Sequence, residues 1–235
     1  MSGAGHWHDE ARRWAAWART PGHDAYWDYR DAFFELVPPP GRATLEVGCG
    51  EGRVSRDLAA RGHTVTGVDV VGELVDLAVA ADPGSTYVVG DASVLPFPDG
   101  TFDLAVAYNS LMDVDDMPGA VEEIARVLEP GGRLCLCVTH PTRDACVREG
   151  DRFVIEHEYL ERRRFEGTFT RNGLTITFKG WCYPLEAYSR ALEGAGFVIE
   201  AMREPPEPPP GGEPSATYEA DRRFPDFLML RAQRR

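Results

Sequence analysis

Short apolar runs alternate with amphipathic stretches through the middle of this chain. The runs are Thr44 to Val47, Thr64 to Val68, Thr86 to Val89, Leu104 to Tyr108 and Arg133 to Val138. Each is too short for a stable helix and nearly continuous in hydrophobicity, which is how strands buried on both faces read. The stretches between them carry apolar residues at helical spacing. Strand and helix in alternation predict a parallel sheet with right-handed crossovers, an α/β fold.

The two ends and one internal segment break this rhythm. Residues 1–40 hold four of the five tryptophans, Trp7, Trp14, Trp17 and Trp27, followed by a helical stripe of Tyr26, Tyr29, Phe33 and Leu36 that stops at Pro38-Pro39-Pro40. Helices this aromatic need a surface to pack on, either as a cap on the sheet or as a lid over a ligand. Between His140 and Gly180 the spacing becomes β-like, with Leu174-Thr175-Ile176-Thr177-Phe178 beside Asn172-Gly173, a hairpin signal. This insertion follows the fifth strand, where carboxyl strand ends open onto a ligand crevice, so it is placed to build a substrate lid. A helix is expected from about Pro184 to Glu193, ended by Gly194-Ala195-Gly196, then a strand Phe197 to Met202. Glu204 to Pro214 reads as a stiff extended linker, and Asp226 to Arg231 as the last strand. The organisation is one domain over 1–235: helical cap (1–40), ligand-binding core (41–139), lid (140–182) and completion of the sheet (183–235).

Charge and cysteines narrow the function classes. A net charge of −13 argues against nucleic acid, whose binding rests on neutralising phosphates. The single basic run, Arg162-Arg163-Arg164, sits among Glu158, Glu161 and Glu166 and reads as a locally neutralised, solvated face. Five cysteines, an odd number, suit a reducing compartment. Cys135 and Cys137 share one face of a strand and read as small core hydrophobes, with no metal site expected. His6 and His8 flank Trp7 in a terminal segment and receive no metal role. No secretory signal or membrane-length run is present, so the expectation is a cytoplasmic protein with no membrane partner.

The candidate chemistry is concentrated in Thr44-Leu45-Glu46-Val47-Gly48-Cys49-Gly50-Glu51-Gly52-Arg53, a strand, a glycine-rich turn and a helix start. Such a turn lets backbone approach a nucleotide-like ligand while the following helix presents free N–H groups. A dinucleotide fingerprint counted from Gly48 and Gly50 requires its third glycine at position 53, where Arg53 stands, and the third glycine comes one residue early at Gly52. Hydride-carrier binding is therefore disfavoured.

The spacing Glu46-x-Gly48-x-Gly50-x-Gly52 resembles the class I S-adenosylmethionine (SAM) dependent methyltransferases. The likeness extends to Asp69 after the second strand, to Gly90-Asp91-Ala92 after the third, and to Leu95-Pro96-Phe97-Pro98-Asp99-Gly100-Thr101-Phe102-Asp103. It also takes in Val127-Leu128-Glu129-Pro130-Gly131-Gly132-Arg133-Leu134, which resembles the small-molecule branch called type 11. The resemblance implies a Rossmann-like, seven-stranded, mostly parallel sheet with an antiparallel last strand, N-terminal helices and a hairpin-like lid insertion. It implies SAM as cofactor, S-adenosylhomocysteine (SAH) as product, and a cofactor set of Glu46, Gly48, Cys49, Gly50, Gly52, Asp69, Val70, Asp91, Ala92, Asn109 and Tyr26. Within that set Glu46 orders the turn or meets the cofactor ammonium, Asp69 accepts from both ribose hydroxyls, Asp91 and the Ala92 N–H meet adenine, and Tyr26 closes over the methionine moiety. Taken without the family, Asp69 reads as a helix cap, Asp91 as a turn residue and Tyr26 as core.

Methyl transfer gains mainly from positioning and water exclusion, so a base is optional. The expected base is His140, at the crevice end of the fifth strand with Pro141 fixing the chain's exit; its other reading is pocket wall. Met112, His140, His157, Tyr159, Trp181 and Tyr183 are the expected substrate-pocket residues. Asp113 reads instead as a helix start or cap together with Asp115 and Asp116. The implied acceptor is a small aromatic or natural-product-like molecule methylated on oxygen, nitrogen or carbon, by a monomer or homodimer. An alternative keeps SAM but uses it for a non-methylating cyclisation or decarboxylation.

Overall fold

A computed structural model describes residues 3–21, 23–150, 152–206 and 225–235. Two N-terminal helices, α1 (Gly3–Arg19) and α2 (Tyr26–Phe34), precede the alternating core of β1 (Thr44–Val47), α3 (Arg53–Ala60), β2 (Val65–Asp69), α4 (Gly72–Ala81), β3 (Thr86–Val89), β4 (Phe102–Tyr108), α5 (Met117–Val127) and β5 (Leu128–Thr139). A 3-10 turn, Leu111–Asp113, lies between β4 and α5. After β5 come α6 (Pro141–Ala145), the hairpin β6 (Cys146–Glu149) and β7 (Arg152–Ile155), and a second hairpin of β8 (Arg163–Arg171) and β9 (Leu174–Cys182). The chain finishes with α7 (Leu185–Gly194), β10 (Phe197–Arg203) and β11 (Phe227–Arg234).

Seven strands form one sheet in the order β10-β11-β5-β4-β1-β2-β3. β1 pairs parallel with β2 and β4, and β4 with β5, whereas β11 inserts antiparallel between β5 and β10. The expected Rossmann-like, seven-stranded, mostly parallel sheet with an antiparallel last strand is therefore present. Two buried layers hold it. Leu45, Val47, Leu134, Leu136 and Val138 pack with α5 and α7 on one face; Val65, Val106, Cys135 and Cys137 pack with Tyr29 and Phe33 of α2 on the other.

The insertion contains two hairpins where the spacing predicts one. The Asn172-Gly173 turn is as predicted: Arg171 pairs with Leu174, and φ is 51° at Asn172 and 80° at Gly173, the left-handed pair that a two-residue turn requires. β5 begins at Leu128, earlier than expected, because Pro130-Gly131-Gly132 is absorbed at its start beside a register shift against β4. Of the expected Glu204 to Pro214 linker, residues 207–214 lie outside the described residues. His6 and His8 belong to an ordered helix, not a loose terminus: His6 is buried and its Nε2 lies 2.7 Å from the Thr177 carbonyl oxygen of β9.

Candidate active site

At the carboxyl end of β1 the chain turns through Gly48, Gly50 and Gly52, all with left-handed φ (72°, 54° and 84°). At Gly48 the demand is double, because a Cβ there would run into the Cβ of Ser110. Ser110 sits in turn on β1, its hydroxyl donating to the Val47 carbonyl at 2.6 Å. The loop is thereby clamped between the ends of β1 and β4. On the other side Asp69, the last residue of β2, accepts the Gly50 N–H at 2.8 Å and the Val71 N–H at 2.9 Å. Gly90, after β3, donates its N–H to the Asp69 carbonyl at 3.0 Å, which brings the Gly90-Asp91-Ala92 segment to the same edge. Asp91 accepts from the Ser93 N–H (2.8 Å) and hydroxyl (2.7 Å) and is exposed.

Helix α1 and strand β9 cover this end of the sheet. Trp7, Ala11 and Trp14 share one face of α1 and pack on Val70, Val71 and Leu74 at the start of α4. A Cβ on Gly50 would lie 3.0 Å from the Trp14 indole nitrogen, and Trp7, Trp14 and Trp17 all meet Phe178 of β9 edge-on. Arg53, at the start of α3, lies 4.9 Å from the Trp14 ring and 4.4 Å from the Tyr26 ring while pairing with Asp24 at 2.6 Å.

The covered region is acidic. Glu46 is 2% exposed and receives the Ser55 hydroxyl of α3; burial, with Asp69 adding, pushes its carboxyl up to about 8. Burial also raises Asp69, against the two backbone N–H bonds that lower it. Asp113 is also raised well above the usual carboxylate range, first by burial and then by the Asp69 charge, with the Trp7 indole as the donor working against them. Among the described residues neither Asp69 nor Asp113 ion-pairs with an arginine or lysine. The Asn109 side-chain oxygen, next after β4 on a residue with φ 50°, is buried and without a partner. Unbalanced carboxyls beside an unmet acceptor suit a ligand that brings positive charge and hydrogen-bond donors. A SAM molecule, with a sulfonium, an ammonium and ribose hydroxyls, meets that description.

Residues 45–136 match the family model described as "Methyltransferase domain". Over this stretch the chain is similar to methyltransferase domains. Over 124 residues the chain is 36% identical to a demethylmenaquinone methyltransferase of Tropheryma whipplei, covering 51% of each protein. A solved S-adenosylmethionine-dependent methyltransferase of Mesorhizobium loti superposes with a TM-score of 0.69 at 26% identity, over 90% of this chain and 98% of the other. A [4+2]-cyclase shares the fold at TM-score 0.67 and 20% identity, over 100% of this chain and 97% of the other. The chain spans about two fifths to half the length of the curated relatives it matches. The cofactor implied by the methyltransferase domain is SAM.

Around this domain the structure rearranges several expected roles. Asp113 does not cap a helix; Asp116 does so, accepting the Gly119 N–H at 3.1 Å, and the Asp113 carboxyl lies instead against Gly180 of β9. Tyr26 is 2% exposed, its hydroxyl is committed to Asp57, and its ring meets Tyr108 edge-on, so its phenol is held in the core between α2 and α3. His140 ends β5 as expected but both its nitrogens are engaged: Nδ1 accepts the Thr142 N–H at 3.2 Å as the cap of α6, and Nε2 lies 2.8 Å from Glu204. A base needs a lone pair facing its acceptor, and in this arrangement the helix cap occupies it.

Met112, Trp181 and Tyr183 come together beside the 3-10 turn, packed against the α5 side of the core. Tyr159 and Tyr183 share a cavity of about 10 Å³ with Cys182 and Arg163, room for about one water. Tyr159 also accepts the Leu185 N–H at the start of α7 (3.2 Å). His157 does not join the group; it is about 40% exposed beyond β7, with its ring 3.8 Å from Glu156. The arginine run meets partners other than its neighbouring glutamates. Arg162 and Arg164 lie 4.1 and 3.6 Å from the Trp181 ring, Asp115 takes both Arg164 and the Trp181 indole N–H, and Arg163 donates to the Asp144 carbonyl.

Sequence reasoning missed Asp113, Trp14, Ser110 and Asp144, and named Trp7 only as a minor pocket candidate. Asp144 of α6 accepts the Thr139 hydroxyl at 2.9 Å, and burial lifts its carboxyl to about 6. A signal existed for α1: positions 7, 11, 14 and 18 fall on one helical face. Nothing in the local spacing separates Asp113 from Asp115 and Asp116.

Proposed function

We propose that the chain is a SAM-dependent methyltransferase that methylates oxygen, nitrogen or carbon of a small aromatic or natural-product-like acceptor. The observation that carries it is the acidic crevice at the ends of β1, β2 and β4 beneath the tryptophans of α1, with Asp69 and Asp113 lacking a basic partner among the described residues. When bound, SAM supplies an electrophilic methyl group whose departure discharges a sulfonium. In this reading Asp69 holds the ribose, the loop from Gly48 to Gly52 gives backbone contact, Asp91 and Ala92 take the adenine, and Asn109 offers its unmet oxygen. Glu46 keeps the loop in shape through Ser55, and Trp7, Trp14 and Phe178 exclude water. Met112, Trp181 and Tyr183 are the aromatic and apolar wall for the acceptor, and His140 shapes that wall as a helix cap. The cap, core, lid and sheet completion act as one domain, in a cytoplasmic monomer or homodimer.

The test supplies SAM labelled on its transferable methyl with a panel of small phenols, amines and carboxylic acids. Label in a product at equimolar SAH supports the reading; binding of SAM with turnover of a panel member and all label retained on the cofactor moves the chain to the non-methylating alternative.

A further inference from the structure

Between α5, α7 and the segment that leads into β8 lies an open cavity of about 480 Å³. Pockets for small organic molecules run from about 300 to 1,000 Å³, so the space suits one. Its apolar side is built by Met117 and Pro118 of α5 and by Ala187 and Ala191, one turn apart on α7. Leu160 on the same wall is 79% exposed, an apolar side chain without cover. Two polar groups lining the cavity are unmet. Arg162 lies 4.1 Å from the Trp181 ring and donates to the Asp115 carbonyl at 3.4 Å, yet among the described residues it ion-pairs with no carboxylate. Arg164 on the same ring is held by Asp115, and Arg190 of the cavity wall by Glu186. Tyr183, its ring 6.5 Å from Trp181, is 5% exposed, and its buried hydroxyl has no hydrogen-bond partner although the Arg162 charge is in reach. A buried hydroxyl in that state costs free energy that a suitable ligand recovers. Glu122, also on the wall, is exposed to solvent.

We propose that this cavity binds a small carboxylic acid with a flat apolar body, the carboxylate on the Arg162 guanidinium and the Tyr183 hydroxyl, the body on Pro118, Ala187 and Ala191. A guanidinium is planar, permanently charged and weakly hydrated, and its paired N–H groups match the two oxygens of a carboxylate. Stacking on Trp181 holds that plane in place before the ligand arrives. The phenol donates to the same anion, and the apolar body covers Leu160 and the alanine face of α7. A neutral or cationic molecule of the same shape fills the space but leaves Arg162 unanswered. Nothing in this proposal depends on SAM or on methyl transfer.

Calorimetric titration of the full chain with naphthylacetate, with the neutral naphthylacetamide and with the cationic naphthylmethylamine tests this, in wild type, Arg162→Gln, Tyr183→Phe and Ala187→Phe. We expect the acid to bind wild type at least about tenfold more tightly than the amide or the amine, and Arg162→Gln to erase that preference. Tyr183→Phe should weaken the acid and spare the amide, while Ala187→Phe should fill the cavity and abolish binding of the acid. Arg162 is exposed, so its replacement leaves the fold intact. No binding of the acid by wild type, a preference for the amide or amine, or an acid preference that survives Arg162→Gln overturns the proposal. SAM titrated into the same proteins reads the cofactor site separately. Wild type that binds SAM but not the acid overturns this proposal alone; wild type that binds the acid but not SAM overturns the methyltransferase reading alone.

Discussion

The Asp69 carboxylate accepts the backbone N–H of Gly50 at 2.8 Å, so the residue that ends β2 also fixes the conformation of the loop after β1. One oxygen shapes the loop and the other holds the Val71 N–H at 2.9 Å at the start of α4. Each carboxylate oxygen retains a further lone pair for a ribose hydroxyl. Asp69→Ala should weaken SAM binding by about 1.5–3 kcal/mol through lost charge-assisted bonds, and should lower stability as well by orphaning two N–H groups. Titration calorimetry reads the first effect and denaturant unfolding the second.

Glu46 makes stability depend on pH in an uncommon direction for a carboxylate. Its folded value is about 8 against an ordinary 4.5, so the folded chain binds this proton more tightly than the unfolded chain. Its contribution is full below the ordinary value and is lost as pH rises through about 8. Glu46→Gln should flatten that decline, by an amount of order a few kcal/mol across the interval. Urea midpoints of both proteins at about pH 5 and pH 8 check it, with wild type losing more on going to the higher pH.

Gly180→Ala places a methyl group against Asp113 Oδ1 and the Met112 carbonyl. Overpacking of this kind should cost about 1–3 kcal/mol and lift β9 from the 3-10 turn. The double variant Gly180→Ala/Asp113→Ala should recover part of the loss. Thermal unfolding of the three variants separates these outcomes.

His140 is tied down by Thr142 and Glu204. His140→Ala should cost about 1 kcal/mol as the loss of a helix cap and leave the shape of the pH–rate profile unchanged. A profile that loses its basic dependence near neutral pH would instead return His140 to the role of base.

Much of the fold could be read along the chain because its elements are locally specified. Thr44 to Val47 is buried at every position, the predicted Asn172-Gly173 turn adopts left-handed angles at both residues, and Gly196 (φ 79°) stops α7 where the glycine pair suggested. The glycine loop was legible for the same reason: its spacing encodes its own geometry. Asp113, Tyr26 and His140 were not legible, since each has two ordinary local roles and the choice falls to residues far away in sequence. Trp7 and Gly180 enclose Asp113, Asp57 takes the Tyr26 hydroxyl, and Glu204 takes His140.

By itself the sequence determined the strand and helix alternation and the glycine turn, because periodicity and backbone freedom are properties of adjacent residues. Only the tertiary structure decided which carboxyls lost their water and which met no cation. Desolvation and Coulomb attraction act through space, over distances that the order of residues does not record.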